Sequence, residues 1–287
     1  MDLRFDTISF LSDYGLADEF VGVVKSVIRS MEPDVAVVDI THDIPAHDVR
    51  AGGLALARAA QYLVPGVVLA VVDPGVGTAR KGIAVEVGDG QSILVGPDNG
   101  LLASAVALCE GATRAVQLSN PDYQLPAPGS TFDGRDVFAP AAAHLCNGVD
   151  LADLGGMIEP TSLRPGLLPV THVDGGLLVA EVLWIDRFGN AQLNVDPDEV
   201  AAWGDRIRVD VAGQTRTARR VGSYAEIGSG EVGIVVDSYG LLSLAVDSMS
   251  AADLLGLTAG DTVNLEVPDD PEPRSPTTPV ELRRSEA

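Results

Sequence analysis

"GVVLAVVDPGVGTARKG", residues 66–82, decides how this chain is built. Its first part, 66–73, is an unbroken apolar run that stops at Asp73. A run of Val and Leu without polar alternation reads as a strand buried on both faces, the kind found in a sheet covered by helices on either side. Pro74 and Gly75 then break the strand, Gly77 and Thr78 continue a loop, and Arg80 follows seven residues after Asp73. A carboxylate at a strand end and a guanidinium just past a glycine loop pose a chemical question as well as a structural one.

The flanking segments agree with such a sheet. "TISFLSD" (7–13) reads as a strand, and "DEFVGVVKSVIRSM" (18–31) as an amphipathic helix. "VAVVDI" (35–40) is a second strand and "DVRAGGLALARAAQYL" (48–63) a second helix, which with 66–73 gives βαβαβ. "GIAVEV" and "SILVG" flank Gly88-Asp89-Gly90 as a hairpin. "NGLLASAVALC" and "RDVFAPAAAHLC" read as further helices. The fold class is therefore α/β, an N-terminal mostly parallel sandwich assigned to 1–164.

From about residue 165 the texture changes to short strand-like runs, from "GGLLVAEVLWID" to "DTVNLEV", separated by Gly, Asp and Ser. One short helix, "AADLLGL", interrupts them. That spacing predicts a smaller all-β barrel over 165–267. The Pro-rich, charged tail 268–287 is expected to be disordered.

At 287 residues the chain has room for two domains at about 150 residues each. Its net charge of −22 argues against nucleic acid, because phosphates need clustered Lys and Arg. Most of that charge reads as solubility or adaptation to a salty habitat, with a cationic ligand as the other reading. The cysteines, Cys109 and Cys146, sit in apolar or helical surroundings and read as buried thiols of a reducing compartment. The N-terminus has no basic, apolar leader pattern, and no run is long enough to span a bilayer, so a soluble cytoplasmic protein is expected.

Ligands of open α/β sheets sit beyond the carboxyl ends of the strands. Here the first strand ends in Ser12-Asp13-Tyr14-Gly15, the second in Asp39-Ile40-Thr41-His42-Asp43, and the third in Asp73-Pro74-Gly75. Asp39 and Asp43 read as turn residues. Asp13 and Asp73 read as functional, each followed by a glycine that lets backbone come close to a ligand. The loop at Gly75 is no phosphate cradle: it lacks Gly-Lys-Ser or Gly-Lys-Thr opening a helix, and a strand follows it. Two further constellations stand out. "GSTFDGRDVFAPAAAHL" (129–145) leads a donor-rich loop into a helix, and "WIDRFGNAQLN" (184–194) places a carboxylate, an aromatic ring and an amide at a β corner.

Taken in order, "FLSDYGLADEFVGVVK", "DITHDIPAHDVRAGG", "VVDPGVGTARKGIAVE", "VGPDNGLL", "GSTFDGRDVFAPAAAHL", "IDRFGNAQLN" and "DSYGLLSLAV" resemble the SAM hydroxide adenosyltransferase family, relatives of the S-adenosylmethionine-dependent fluorinase and chlorinase. The resemblance implies hydrolysis of S-adenosyl-L-methionine to adenosine and L-methionine, with no cofactor. It also implies a homotrimer with active sites between neighbouring subunits. Halide adenosyltransfer and non-catalytic binding of the same ligand are the alternatives.

By the same resemblance, Asp13 binds the ribose hydroxyls, while His47 and Phe132 line the ribose and adenine pocket. Asn190 recognises adenine with Phe188 stacked nearby. Asp186 takes the methionine ammonium, Ser238 and Tyr239 lie near the amino-acid end, and the backbone at Ser250 and Ala251 meets the adenine edge. Asp73 and Arg80 match two members of a triad that holds water, and a carboxylate at Asp73 disfavours halide. The third member is His in the family pattern but Asp133 here. Two carboxylates beside one arginine either orient and deprotonate water or discourage hydroxide.

Overall fold

The run around Leu69 is a strand, β3 (Val67–Val71), buried at every position. It lies third in a seven-stranded sheet of order β2-β1-β3-β5-β4-β6-β7. The other strands are β1 (Thr7–Ser12), β2 (Ala36–Thr41), β4 (Gly82–Val87), β5 (Ser92–Pro97), β6 (Ala112–Leu118) and β7 (Gly155–Ile158). The structure, a computed structural model, describes residues 3–268, so the tail expected to be disordered lies outside the described residues apart from Pro268.

Alternation along β3 shows why it reads apolar throughout. Val67, Leu69 and Val71 face one core, while Val68, Ala70 and Val72 face the other. The first core is closed by α1 (Phe20–Met31) through Val21, Val24 and Ile28, and by α4 (Ala139–Cys146) through Ala139, Ala142 and Leu145. The second is closed by α2 (Val49–Ala60) and by α3 (Ala103–Leu108) with the Leu101-Leu102 turn before it. Each fully buried Leu or Val stabilises the fold by roughly 1.5–3 kcal/mol, so one continuous run anchors both layers.

Only part of the sheet has the expected parallel character. β2, β1, β3 and β5 pair in parallel, whereas β5–β4, β4–β6 and β6–β7 are antiparallel. The cause is the hairpin at Gly88-Asp89-Gly90, which turns the chain straight back and leaves the later strands to alternate.

The chain divides after Leu168 into two compact units. The second is built from β8 (His172–Asp174), β9 (Leu177–Ile185), β10 (Ala191–Leu193), β11 (Arg206–Val211), β12 (Gln214–Arg220), β13 (Val232–Val236), β14 (Leu242–Val246) and β15 (Thr262–Glu266), with α5 (Ala251–Leu255) before the last. These strands run β10-β14-β13-β12-β11-β15-β9-β8, and pairing of β9 with β10 closes seven of them into the expected barrel around Val182, Leu193, Ile207, Leu244 and Val263. Among the described residues no helix is long and apolar enough to cross a membrane.

Candidate active site

The strand order sets the place of the site. After β1 the chain crosses to β2 on one side, then returns to β3 on the other, so connections diverge between β1 and β3. A doubly wound sheet opens a crevice at that switch point, beyond the carboxyl ends of the strands. Asp13 follows β1 there and Asp73 follows β3. A cavity of about 240 Å³ fills the crevice, lined by Asp13, Tyr14, Phe20, His47, Asp73 and Asp133 among others. A larger cavity of about 380 Å³ lies beside Val85, Leu102 and Val106 in the same unit. Its carboxylate, Asp98, is occupied by the backbone N–H of Arg164 at 2.8 Å, so converging titratable groups select the smaller cavity.

The glycine loop returns Arg80 to the end of its own strand. Successive turns run from Asp73 O to Val76 N–H and from Gly75 O to Thr78 N–H, and the Thr78 hydroxyl donates to Gly75 O at 2.7 Å. Gly77 has φ +77, and a Cβ there would stand 2.9 Å from Ser130 O. Glycine is thus needed twice over, for the left-handed turn and for close approach to the segment carrying Asp133. Arg80 Nε donates to Asp73 Oδ1 at 3.0 Å, and Nη2 donates to Asp73 Oδ2 and to Asp133 Oδ2, the latter at 2.6 Å. The guanidinium also lies over the Phe138 ring, 5.4 Å from its centroid.

This cluster is shielded from water, with side-chain exposures of 9% for Arg80, 6% for Asp73 and 21% for Asp133. Burial pushes the Asp73 carboxyl above its ordinary value; the charge and hydrogen bonds of Arg80 oppose this and the charge of Asp133 adds to it. The balance leaves Asp73 easier to protonate than a free carboxylate.

Asp13 is placed by its neighbour across the crevice. Its Oδ2 accepts the backbone N–H of His47 at 2.8 Å, and His47 takes the left-handed conformation, φ 68, that points this N–H inward. His47 thus meets the site through its main chain. Phe132 closes one wall with Tyr14 and Phe20, the three rings 5.2–5.8 Å apart.

Tyr14 and Phe20 were missed as site residues in the sequence. Phe20 opens α1, where helical spacing reads as core, and it stays 37% exposed. Tyr14 gave the better signal, standing between Asp13 and Gly15 at the strand end. A Cβ on Gly134 would lie 2.2 Å from its hydroxyl, so that glycine makes room for the phenol. Burial first, then the charges of Asp13, Asp73 and Asp133, push its pKa far above the ordinary value, so it remains a protonated donor. Gly134 also opens a π-helical turn, Gly134–Phe138, a geometry frequent at functional sites.

The remaining candidates lie in the second unit. Asp186 shapes its corner: Oδ1 accepts from Phe188 N–H at 2.8 Å and Asn190 N–H at 2.9 Å, and Oδ2 from the Asn190 side-chain amide at 2.8 Å. The expected ammonium role thus competes with a turn-forming role. Ala252 N–H donates to Gly189 O at 2.9 Å, and a Cβ on Gly189 would lie 2.2 Å from Ser250 Oγ, which fixes that corner against the start of α5. Ser250 caps α5, accepting from Asp253 N–H at 3.0 Å, and the Ala251 side chain is fully buried, leaving only its backbone for a ligand. Asp237-Ser238-Tyr239-Gly240 repeats the Asp186 turn, Oδ1 of Asp237 accepting from Tyr239 and Leu241 N–H at 2.8 and 3.3 Å. The two turns hold up aromatic rings, Phe188 at 77% and Tyr239 at 38% exposure, and Ser238 is exposed beside the latter.

Comparison with known proteins accords with this geometry. Residues 8–155 match the SAM hydroxide adenosyltransferase N-terminal domain, and 180–264 match the C-terminal domain. A Salinispora tropica protein named (R)-S-adenosyl-L-methionine hydrolase is 44% identical over 258 residues, 90% of this chain and 97% of that one. A fluorinase from an Actinoplanes species is 27% identical over 288 residues, 90% and 96% of the two chains. A crystal structure of an uncharacterized conserved protein from Thermotoga maritima superposes with a TM-score of 0.83 at 32% identity, covering 90% of this chain and 99% of that one. Matched over both units in chain order, this chain belongs to the SAM hydroxide adenosyltransferase family.

Proposed function

We propose that this protein hydrolyses S-adenosyl-L-methionine to adenosine and L-methionine by in-line attack of water on the ribose C5′. The observation that carries the reading is the buried Asp73–Arg80–Asp133 cluster on a cavity that also bears Asp13. The water oxygen forms a bond to C5′ as the C5′–S bond breaks. The sulfur keeps the electron pair and becomes the thioether of methionine, and the water proton passes to the Asp73 carboxylate. The other hydrogen stays on the oxygen as the 5′-hydroxyl of adenosine and donates a hydrogen bond to Asp133, while Arg80 fixes both carboxylates, which is positioning of the kind that dominates such displacements. The sulfonium is its own leaving group, so the reading includes no cofactor. Relatives named for the (R) form of the substrate support that sulfonium configuration here.

The reading extends to the barrel residues and to assembly. Asn190 and Phe188 would take adenine, and Ser238 and Tyr239 the amino-acid end, in a homotrimer where a neighbouring subunit completes each site. Two cysteines without a disulfide partner suit a reducing cytoplasm. Incubation with the (R) substrate in ¹⁸O water, followed by chromatography and mass analysis, tests the chemistry, and light scattering tests the trimer. Adenosine labelled at its 5′-oxygen is expected. A 5′-halide, or binding without turnover, refutes the reading.

A further inference from the structure

A second polar cluster lies behind the site and takes no part in the chemistry above. Ser12, the last residue of β1, is fully buried, and its hydroxyl stands 2.7 Å from Nδ1 of His42, itself 5% exposed just past β2. The other ring nitrogen, Nε2, is 3.0 Å from Asp39 Oδ1, and Asp39 Oδ2 accepts from Lys25 Nζ on α1 at 2.6 Å. Serine, histidine and aspartate in hydrogen-bonded series have the composition of a nucleophilic triad. This one is closed, because a serine with no exposed surface meets no substrate.

The proton positions follow from satisfaction of the buried groups. Burial pushes the Asp39 carboxyl up, but hydrogen bonds from Lys25 and His42 outweigh it and hold the group below its ordinary value, hence ionised. A bare Nε2 facing that carboxylate would set lone pair against lone pair, so Nε2 carries a hydrogen, and in the neutral ring Nδ1 is the acceptor. The Ser12 hydroxyl then donates to Nδ1, and its oxygen accepts the Tyr14 backbone N–H at 3.3 Å. From the same histidine, the backbone oxygen accepts Gly15 N–H at 2.8 Å. Phe10 packs edge-on against the imidazole, its centroid 4.6 Å away. Each link is directional, running from a surface ion pair to the main chain on both sides of Tyr14.

We propose that Ser12, His42 and Asp39 form a positioning network that holds the Asp13-Tyr14-Gly15 segment in the shape required to bind the nucleoside half of the substrate. The network acts through the segment it fixes and touches no reacting atom. Its loss lets Asp13 and the Tyr14 phenol wander over the cavity mouth, and misplacement of this size weakens binding before it alters the displacement. The inference rests on the hydrolase reading above, since it takes adenosine as the group bound.

Ser12→Ala removes one hydroxyl, and Ser12→Thr restores it on a residue well suited to a strand. Calorimetric titration with adenosine, steady-state kinetics with S-adenosyl-L-methionine and thermal melting are measured on each. Adenosine Kd and substrate KM are expected to rise about tenfold in Ser12→Ala with kcat within about threefold of the parent, and Ser12→Thr to recover most of the loss. Should Ser12→Ala fail to fold, Ser12→Cys, close in shape with a weaker donor, carries the same comparison. A folded variant with unchanged Kd and KM overturns the proposal and leaves the cluster as packing alone. A fall in kcat at constant KM overturns it too, since the network would then act on the chemistry. An unmutated protein that neither binds adenosine nor turns over the substrate refutes the hydrolase reading; normal activity in both parent and Ser12→Ala refutes only the network.

Discussion

Replacing Arg80 by alanine isolates what the guanidinium does to Asp73. Both the Nε and Nη2 groups engage that carboxylate, and Nη2 also reaches Asp133 at 2.6 Å. With side-chain exposures of 9% and 6%, solvent screens the Arg80–Asp73 pair little. At an effective dielectric of about 20, unit charges about 4 Å apart attract by about 4 kcal/mol. Arg80 opposes the burial that pushes Asp73 upward, so its removal raises the carboxyl further. A base acts only when ionised, so activity is lost as pH falls through the Asp73 value. The acid limb of kcat/KM, already above the usual carboxylate position near about 3.9, therefore moves to higher pH. Above the shifted limb, kcat is still expected to fall about 10²–10³-fold because the water site has lost its fixed cation. Folding follows the same sign. A carboxyl whose folded pKa is raised stabilises the fold in its protonated form, and this contribution disappears as pH rises through the folded value. Arg80→Ala is thus expected to lose about 3–5 kcal/mol at neutral pH, from two carboxylates left without their partner, and less in acid. The assay is adenosine release from roughly pH 4 to 9, with Arg80→Lys alongside. Lysine keeps the charge without the fork, so its limb should stay near that of the parent while kcat falls about tenfold. An Arg80→Ala profile with an unmoved limb and undiminished kcat would refute the reasoning.

Three other substitutions probe the surroundings. Asp133→Asn removes a charge that raises Asp73, so the acid limb should move to lower pH, as a pH–rate profile will show. Gly134→Ala puts a Cβ 2.2 Å from the Tyr14 hydroxyl; a stability loss of about 1–3 kcal/mol and weaker adenosine binding are expected by melting and calorimetry. Asp186→Ala removes the acceptor of three hydrogen bonds and should cost about 2–3 kcal/mol by denaturant titration, with Asp186→Asn recovering part of it.

The sequence made the sheet legible where burial is uniform and less so where it alternates. β3 reads unambiguously because both its faces are covered, and the hairpin declares itself through Gly88-Asp89-Gly90. β6 was overlooked because "ATRAVQL" mixes exposed and buried positions, and β7 because "GGMI" offers four residues with no pattern. The strand-end aspartates could be read locally, since a carboxylate before a glycine is a short-range signal. The contact between Arg80 and Asp133 could not, as 53 residues separate them and the two loops meet in the fold, with Gly77 close to Ser130. Likewise, Asp39 read as a turn residue, and no local pattern reveals that its partner is a lysine one helix away.

In the proposed reaction, the placing of two carboxylates on one guanidinium follows from the charge that the displacement moves. Asp13, Asp73 and Asp133 line the cavity, and Arg80 is the cation paired with two of them, so the empty site has excess negative charge. A sulfonium offsets one of those two excess negative charges, in a place shielded from solvent. On displacement the sulfonium becomes a neutral thioether, and the water that forms the new bond releases a proton. If the proton settles on Asp73, the net charge of the site is the same after the reaction as before it, with a proton standing where the sulfonium stood. A second carboxylate therefore does more than orient water. In this proposal the charge of Asp133 favours the proton on Asp73 against the pull of Arg80, and Tyr14, un-ionised in the same field, keeps a donor in the cavity. The pairing that looks excessive in the free protein is the one that keeps the charge of the site constant through the proposed displacement.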